Sequence, residues 1–363
     1  MNVENIKIFS FDLNLRRPIK IKSESLKIRR GYILEFSAAG FTGYGEMSPL
    51  QGFSLESLDD VLTQFKSVRH FLLSDPVPEG LEGLNGRFQD WLGNFELKPS
   101  TMFGIEMALL NLLANIRSRT LKELLSESVH SHIPINGLLQ GDRTEIISQT
   151  KLLIENGFSA LKLKVGQKDI DEDIKLVRDL NELINGRALL HLDANQAWSL
   201  NEAVYFGNEV GLAAVDYIEE PFKDIEQIPE FFHKTTIPVA LDESLQTNEF
   251  EQIKHIEGVE VLVLKPSVIG GIEKTWKILR DAKRLGLNTL ISSIFESSIG
   301  LLTLANLAGC SFRNNAAGLD TAKWFTDSLL LSPLDVVRGK MEIGTRRVTT
   351  SDINFELLQS IKI

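Results

Sequence analysis

Two lysines separated by one residue are the most informative chemical feature of the chain. Lys162 and Lys164 lie in the otherwise apolar run ALKLKVG at residues 160–166. A β-strand alternates its side chains between two faces, so both ammonium groups project from one face and the apolar residues from the other. Like charges repel, which costs little on a solvated edge strand. The pair is therefore either a surface feature or half of a charged site.

Acidic residues at later strand ends indicate the other half of such a site. Asp193, Glu219 and Asp242 each end a β-forming run, and Lys265 ends a further one. Taken singly, each has an ordinary explanation as a helix cap, a solvated acidic pair or a surface residue at a strand end. The order lysine pair, three acids, lysine at successive strand ends is much harder to obtain by chance, and it favours a functional site.

The chemistry of this set points to a divalent cation. A barrel interior cannot hold unpaired charge, so the groups need a partner that cancels them. Three converging carboxylates offer only oxygen ligands, which suit Mg²⁺. Lysines of the second and sixth strands would then face each other across the metal and place an acid or a base on each side of a substrate.

Repeated strand–helix units must position these residues. From Pro99 onward, short β-rich runs alternate with amphipathic helices, and the strands start roughly 20–30 residues apart, the length of one βα unit. Eight repeats favour a closed parallel barrel, in which active sites lie at the C-terminal ends of the strands. The predicted strands are 133–138, 160–165, 189–193, 214–219, 239–242, 259–265, 289–293 and a short one near Gly318.

The segments before and after these repeats have other patterns. The first 95 residues or so predict strands (6–11, 19–23 and 31–36) followed by helices, the first of them capped by Ser54. Residues 336–363 predict strand-like segments too short to fold alone, so we expect them to return to the N-terminal unit. The sequence thus predicts an α+β capping domain at 1–98, a barrel at 99–325 and a returning segment at 326–363.

Composition excludes several classes of function. The chain has 363 residues, 43% of them hydrophobic and 24% charged, with a net charge of −10. It has no basic block, which argues against nucleic acid and membrane partners. The one cysteine, Cys310, cannot form an internal disulfide. No signal peptide or membrane span is predicted, so we expect a cytoplasmic protein with a small-molecule substrate; homo-oligomerisation stays open.

The residues at the strand ends resemble those of the enolase superfamily, in its muconate-lactonising-enzyme-like branch. This resemblance covers nearly the whole chain and implies an α/β fold, a modified (β/α)7β TIM-like barrel with an α+β capping domain. It implies Mg²⁺ ligands at Asp193, Glu219 (the first of the Glu-Glu pair) and Asp242. The end of strand seven and the residues after it, 291–298, contain no histidine, which argues against the mandelate-racemase-like branch.

Three further features are similar to the o-succinylbenzoate synthase family. They are the cap-loop sequence GEMSPLQGFS at 45–54, the serines within 292–300, and a single acid, Asp320, where dipeptide epimerases carry Asp-x-Asp. The similarity implies syn dehydration of 2-succinyl-6-hydroxy-2,4-cyclohexadiene-1-carboxylate to 2-succinylbenzoate in menaquinone or phylloquinone synthesis. A dipeptide or N-acylamino-acid epimerase or racemase, or a cycloisomerase, of the same branch is the alternative.

The resemblance also implies roles for the lysines. The reaction removes a proton α to a carboxylate, and the resulting enediolate must be strongly stabilised. Lys164, partly buried beside the charged Lys162, would take this proton and return it to the departing hydroxyl. Lys265 would stay charged and stabilise the enediolate from the other face. In an epimerase, Lys265 would instead deliver a proton.

The remaining expectations concern groups around the lysines. Asn195 is expected to hydrogen-bond near the metal, and Glu243 to support one of the lysines. Phe53 of the cap loop would close over the apolar part of the substrate. Ser293 and Ser298 would border its distal carboxylate.

Overall fold

The N-terminal residues form an antiparallel sheet followed by helices. The computed structural model describes residues 1–21, 24–127, 129–167, 169–311 and 313–362. The strands are β1 (Asn5–Ile21), β2 (Glu24–Ala38) and β3 (Phe41–Met47), and the helices are α1 (Leu58–Ser74) and α2 (Arg87–Leu92). The predicted α+β cap is confirmed. Ser23, placed by prediction at the end of a strand, lies outside the described residues.

Seven parallel strands follow, after α3 (Pro99–Ile116), α4 (Leu121–Leu125) and β4 (His132–Pro134). They are hydrogen-bonded in chain order, as in a barrel wall. In order they are β5 (Gly137–Leu139), β6 (Ala160–Lys164), β7 (Leu189–Asp193), β8 (Tyr217–Glu219), β9 (Val239–Leu241), β10 (Val259–Leu264) and β11 (Asn288–Ile291).

Helices connect these strands on the outside, as the predicted βα repeat requires. They are α5 (Arg143–Glu155), α6 (Ile170–Ile184), α7 (Leu200–Val210), α8 (Ile228–Thr235), α9 (Ser244–Thr247), α10 (Phe250–Ile253), α11 (Pro266–Ile269), α12 (Ile272–Leu285) and α13 (Ser298–Ala308). No helix within the described part of the chain is long and apolar enough to cross a membrane.

A two-residue bridge closes the sheet into a ring. Ala317 pairs in parallel with Ile135, just before β5, and Gly318 pairs in parallel with Ser292, just after β11. The Gly318 N–H donates to the Ile291 carbonyl over 3.0 Å, and the Ala317 N–H also bonds the β4 side. The predicted eighth strand is therefore present only as this bridge, and the (β/α)7β barrel is confirmed.

The C-terminal residues rejoin earlier parts of the chain. The strands there are β12 (Val336–Val337), β13 (Lys340–Glu342) and β14 (Leu358–Ile361). β13 pairs with β4, and β14 pairs antiparallel with β1, at the edge of the N-terminal sheet. The domain boundaries at residues 98 and 325 stay predictions.

The first helix begins three residues later than the sequence indicates. We expected Ser54 as its N-cap, but the cap is Ser57, whose hydroxyl accepts the Asp60 N–H over 3.2 Å while the Asp60 carboxylate accepts the Ser57 N–H over 2.8 Å. This reciprocal capping box satisfies two otherwise unpaired amides. Ser54 instead accepts the Leu50 N–H over 3.1 Å and tightens the cap loop.

Buried carboxylates at helix N-termini fix the cap and α3 to the barrel helices. Glu46, from β3, accepts the N–H groups of Ser297 (2.9 Å) and Gly300 (3.1 Å) at the start of α13. Glu106, from α3, accepts the N–H groups of Ile272 and Glu273 at the start of α12. The N-terminal amides, which have no partner within the helix, and the positive end of the helix dipole stabilise negative charge at such positions. The cap is thereby oriented relative to the loops at the barrel mouth.

Glycines allow α3 to pack directly on β3. A Cβ added to Gly45 would lie 1.9 Å from the Gly104 carbonyl oxygen and 2.8 Å from the Ala108 nitrogen. These are backbone atoms, which cannot move without shifting the helix. The close approach also lets the Asn111 amide donate to the Tyr44 carbonyl over 2.9 Å.

Gly45→Ala is expected to lower the free energy of unfolding by about 1–3 kcal/mol, because the new methyl group overpacks this contact. Gly83→Ala is the matched control, since its Cβ would meet no atom closer than 3.7 Å. Thermal unfolding of both variants tests this, and an unchanged midpoint for Gly45→Ala would contradict it.

Candidate active site

The strand register brings the predicted residues to one level at the barrel mouth. Lys164 lies opposite Asp193 on β7, and Asp193 lies opposite Glu219 on β8. Asp242 and Lys265 directly follow the last residues of β9 and β10. The two lysine-bearing strands, β6 and β10, are four positions apart in the ring. Their lysines therefore face each other across the mouth.

Lys162 binds two of the three carboxylates. Its Nζ lies 2.8 and 2.7 Å from the two oxygens of Glu219 and 2.9 Å from Asp193 Oδ2. Burial alone would lower the pKa of Lys162, but the negative charges of Asp193 and Glu219 outweigh it and raise the pKa well above its usual value. Lys162 is thus a fixed positive charge that holds these carboxylates together.

Lys265 is the buried cation on the opposite side. Its side chain is 9% exposed and forms an ion pair with Asp242. Burial opposes the charged form, yet Asp242 and Glu219 together raise the pKa of this lysine. Its Nζ lies 4.8 Å from the ring centroid of Phe53, close enough for a cation–π contact. The cap loop therefore covers this lysine, at the position predicted for Phe53.

Lys164 differs from the other two lysines. We expected it to be partly buried, but its side chain is exposed at the end of β6. Its amine makes no ion pair or hydrogen bond with any residue that the structure describes. Lys164 lies two residues beyond Lys162 on β6. Lys162 already binds the nearest carboxylates, those of Asp193 and Glu219. An uncommitted amine at the mouth is accessible to a substrate.

The adjacent glutamates have different roles. Glu219 points to Lys162, whereas Glu220 accepts the N–H groups of Asp242 (2.8 Å) and Ser244 (2.7 Å). Glu220 also accepts from the Gln196 amide over 2.8 Å. It is buried, with a φ of +45°. Glu220 therefore fixes the loop that carries Asp242, a role that sequence reasoning missed because a Glu-Glu pair does not reveal which member turns inward.

Asn195 and Glu243 form a bridge between the loops after β7 and β9. The Asn195 amide donates to Glu243 Oε1 over 2.9 Å, and the Asn195 N–H donates to Asp193 Oδ1 over 3.1 Å. Burial and Asp242 raise the pKa of the Glu243 carboxyl, and the positive charge of Lys265 opposes this rise, so support of a lysine by Glu243 stays a prediction. Asn195 Oδ1 and Glu243 Oε2 are buried and have no hydrogen-bond partner within the described structure. These two oxygens can still accept hydrogen bonds beside the carboxylates.

The two predicted serines are committed to the protein itself. Ser293 donates to Glu296 over 2.6 Å and accepts the Phe295 N–H over 2.9 Å. Ser298 accepts the Leu330 N–H over 2.9 Å. Ser298 also lies 3.0 Å from the Ser328 hydroxyl. Both serine hydroxyls are thus hydrogen-bonded to protein groups in this arrangement.

Arg29 is a buried residue that sequence reasoning did not identify. From β2, its guanidinium donates to the carbonyls of Pro49 (2.9 Å) and Ser48 in the cap loop and of Phe295 (2.9 Å) in the loop after β11. It therefore links the cap loop to the barrel mouth. The Arg-Arg pair at 29–30 was the only sequence signal, and it does not show which arginine is buried.

The donor set at the mouth fits a hard cation. Within the described ranges, no three Asp, Glu, His or Cys side chains are arranged to coordinate a metal directly. The oxygens of Asp193, Glu219 and Asp242 are instead bound by the ammonium groups of Lys162 and Lys265. Carboxylate oxygens suit Mg²⁺, and these ion pairs show that the mouth stabilises positive charge.

Two family models match the chain. Residues 145–347, more than half of the chain, match the model described as "Enolase C-terminal domain-like". Residues 3–112 match the MenC N-terminal domain.

Similar proteins agree with this assignment. The o-succinylbenzoate synthase of Aliivibrio fischeri (strain ATCC 700601 / ES114) is 31% identical over 331 residues, 89% of this chain and 92% of that protein. The chloroplastic protein PHYLLO of Arabidopsis thaliana is 31% identical over 349 residues, which are 86% of this chain but only 20% of PHYLLO.

Solved structures share the fold. The muconate lactonizing enzyme of Pseudomonas fluorescens superposes with a TM-score of 0.85 at 20% identity over 99% of both chains. The dipeptide epimerase of Enterococcus faecalis V583, complexed with Mg and L-Leu-L-Tyr, gives 0.84 at 21% identity over 96% of this chain and 98% of its own. With the family models and the synthase relative, these likenesses place the chain in the o-succinylbenzoate synthase family of the enolase superfamily.

Proposed function

We propose that the chain is an o-succinylbenzoate synthase that removes water from 2-succinyl-6-hydroxy-2,4-cyclohexadiene-1-carboxylate to give 2-succinylbenzoate. The observation that carries the proposal is the asymmetry of the two facing lysines. Lys164 is exposed and uncommitted, whereas Lys265 is buried and ion-paired with Asp242. One is suited to move a proton and the other to supply a fixed charge. The family implies a place in menaquinone or phylloquinone synthesis, and a cytoplasmic location is part of the proposal.

The proton moves on the Lys164 side of the mouth. In its neutral form the Lys164 amine takes the proton from C1, the carbon that bears the substrate carboxylate. The same ammonium then gives this proton to the hydroxyl leaving C6, which departs as water on the same face. The bond electrons left at C1 complete the aromatic ring. One residue can serve both steps because acid and base act on neighbouring carbons.

Lys265 stabilises the negative charge that develops on the substrate carboxylate. Its charge is fixed and buried, and such preorganised charge acts strongly where water is excluded. Phe53 covers this side and limits the access of water. Lys162 keeps Asp193 and Glu219 in position. Mg²⁺, held by Asp193, Glu219 and Asp242, would add Lewis-acid stabilisation of the substrate carboxylate.

An epimerase of the same branch is the alternative, because lysines on both faces of a substrate also support proton exchange at one carbon. The solved epimerase that shares this fold motivates it. However, Asp320, at the end of the barrel closure, forms an ion pair with Lys323. The carboxylate of Asp320 is thus already paired, which disfavours its binding to the ammonium group of a dipeptide. α-Proton exchange of dipeptides in D₂O would reveal this activity.

Lys164→Ala is expected to lower kcat by roughly 100- to 10,000-fold, because it removes the acid–base group. Lys151→Ala, on the exposed face of α5, is the matched control and should retain full activity. Product formation is measured with Mg²⁺ and again after chelation, which should also abolish turnover. Absence of product from folded, Mg²⁺-loaded wild type would contradict the synthase proposal.

Lys265→Met is expected to lower kcat by roughly 100- to 1,000-fold with a small change in KM, because it removes a charge that acts mainly on the intermediate. Lys274→Met is the control, since Lys274 pairs only loosely with Glu249, over 3.8 Å. Steady-state kinetics at saturating Mg²⁺ separates the two constants. A change confined to KM would refute the assigned role.

Glu219→Gln is expected to weaken Mg²⁺ binding on the order of 100-fold, because ligand charge sets the affinity of such sites. Calorimetric titration of the protein with Mg²⁺ measures this without turnover. Glu226→Gln, a change at an exposed glutamate, should leave the affinity unchanged. Equal affinities of Glu219→Gln and the wild type would remove Glu219 from the ligand set.

A further inference from the structure

The proposed substrate has a second carboxylate that the lysine layer does not bind. It lies at the end of the succinyl chain, several bonds from the reacting carbon. Ser293 and Ser298, expected to border it, have their hydroxyls bound to protein groups. A carboxylate entering a partly dry mouth needs a charged or hydrogen-bonding partner. Another part of the mouth must supply that partner.

Basic residues of the cap meet the segment that follows the barrel closure. The ladder between β1 and β2 shifts register between Asn14 and Ile19, and the residues at this irregularity include Arg16 and Arg17. The guanidinium carbon of Arg17 lies 4.6 Å from the ring centroid of Trp324. Arg16 Nε donates to the Lys323 carbonyl over 3.2 Å.

Backbone pairing holds the contact between Arg17 and Trp324 in place. Leu15 forms an antiparallel bridge with Phe325, and the Thr326 N–H donates to the Asn14 carbonyl over 2.9 Å. Trp324 is 8% exposed. The ring that carries Arg17 is thus packed in place, and the position of the guanidinium is defined.

The cap strand that carries Arg17 also packs near the loop that covers Lys265. Ile19, two residues beyond Arg17, packs on the apolar cluster of Leu50, Val268 and Ile294. Phe53 packs on that cluster too, and its ring lies over Lys265. The strand that carries Arg17 and the loop that covers Lys265 therefore share one apolar cluster.

The guanidinium of Arg17 is available to an anion. Stacking uses its face and leaves the in-plane N–H donors free for a bidentate contact. Among the side chains that the structure describes, Arg17 has no carboxylate within ion-pair distance. The neighbouring acid, Asp320, is already paired with Lys323.

We propose that Arg17, held on Trp324, binds the distal carboxylate of a dicarboxylate substrate and so determines specificity. This inference rests on the proposed function, because that function supplies the second carboxylate. The reacting end lies between Lys164 and Lys265, and the succinyl chain extends along Phe53 to the rim.

Binding of two ligands separates this role from a structural one. The wild type, Arg17→Gln and Arg17→Lys are titrated calorimetrically, with Mg²⁺ present, with 2-succinylbenzoate and with 2-butyrylbenzoate, in which a methyl group replaces the distal carboxylate. Arg17→Gln is expected to bind 2-succinylbenzoate roughly 10- to 100-fold more weakly, the loss typical of a charged hydrogen bond. Its affinity for 2-butyrylbenzoate should match the wild type, and Arg17→Lys should be intermediate.

Controls make the outcomes distinct. Arg30→Gln removes an exposed arginine paired with Asp12 and should change neither affinity. Equal weakening of both ligands by Arg17→Gln, or a retained preference for 2-succinylbenzoate, would overturn the proposal. So would a wild type without that preference. If the wild type prefers 2-succinylbenzoate through Arg17 but converts no substrate, the synthase function fails and the carboxylate site stands.

Discussion

Charge compensation at the barrel mouth is the constraint on which the rest of the site depends. Three carboxylates end neighbouring parallel strands, and buried charges without partners cost several kcal/mol each. Lys162 satisfies Asp193 and Glu219, and Lys265 satisfies Asp242. Because Lys162 and Lys265 compensate all three carboxylates, the amine of Lys164 forms no ion pair with the residues that the structure describes. The distribution of charge thus creates the difference between two ion-paired lysines and one exposed lysine.

The cap depends on the same kind of compensation. Glu46 is buried, and burial raises the pKa of its carboxyl against the opposing hydrogen bonds from Ser297 and Ser48. Arg29 is buried among loop carbonyls. Both groups lose their partners if the cap moves away from the barrel, so polar groups set the docking geometry more narrowly than apolar contact could. Phe53 is held over the mouth as a consequence.

The sequence predicts the layer of charged residues well because its signals are local. Strand alternation orients Lys162 and Lys164, and the βα period places the acids at strand ends. The features that the sequence does not predict depend on contacts between residues far apart in the chain. Ser293 and Ser298 follow the seventh barrel strand, but only packing shows that Glu296 and the Leu330 N–H bind their hydroxyls. The shift of the helix N-cap is a local competition, in which a complete capping box at Ser57 outweighs a single serine.

Residues at the rim of the barrel mouth, more than the lysines and carboxylates at its centre, distinguish dehydration from epimerisation. A lysine on each side of a substrate serves dehydration and epimerisation alike, since both begin by removing an α-proton. At the rim, the Asp320–Lys323 ion pair compensates the charge of Asp320, and Arg17 adds positive charge on the cap side. A substrate with a free ammonium group is repelled there, whereas a second carboxylate is attracted. In the role proposed for Arg17, the sign of the charge at the rim, some distance from the reacting carbon, would select a dicarboxylate.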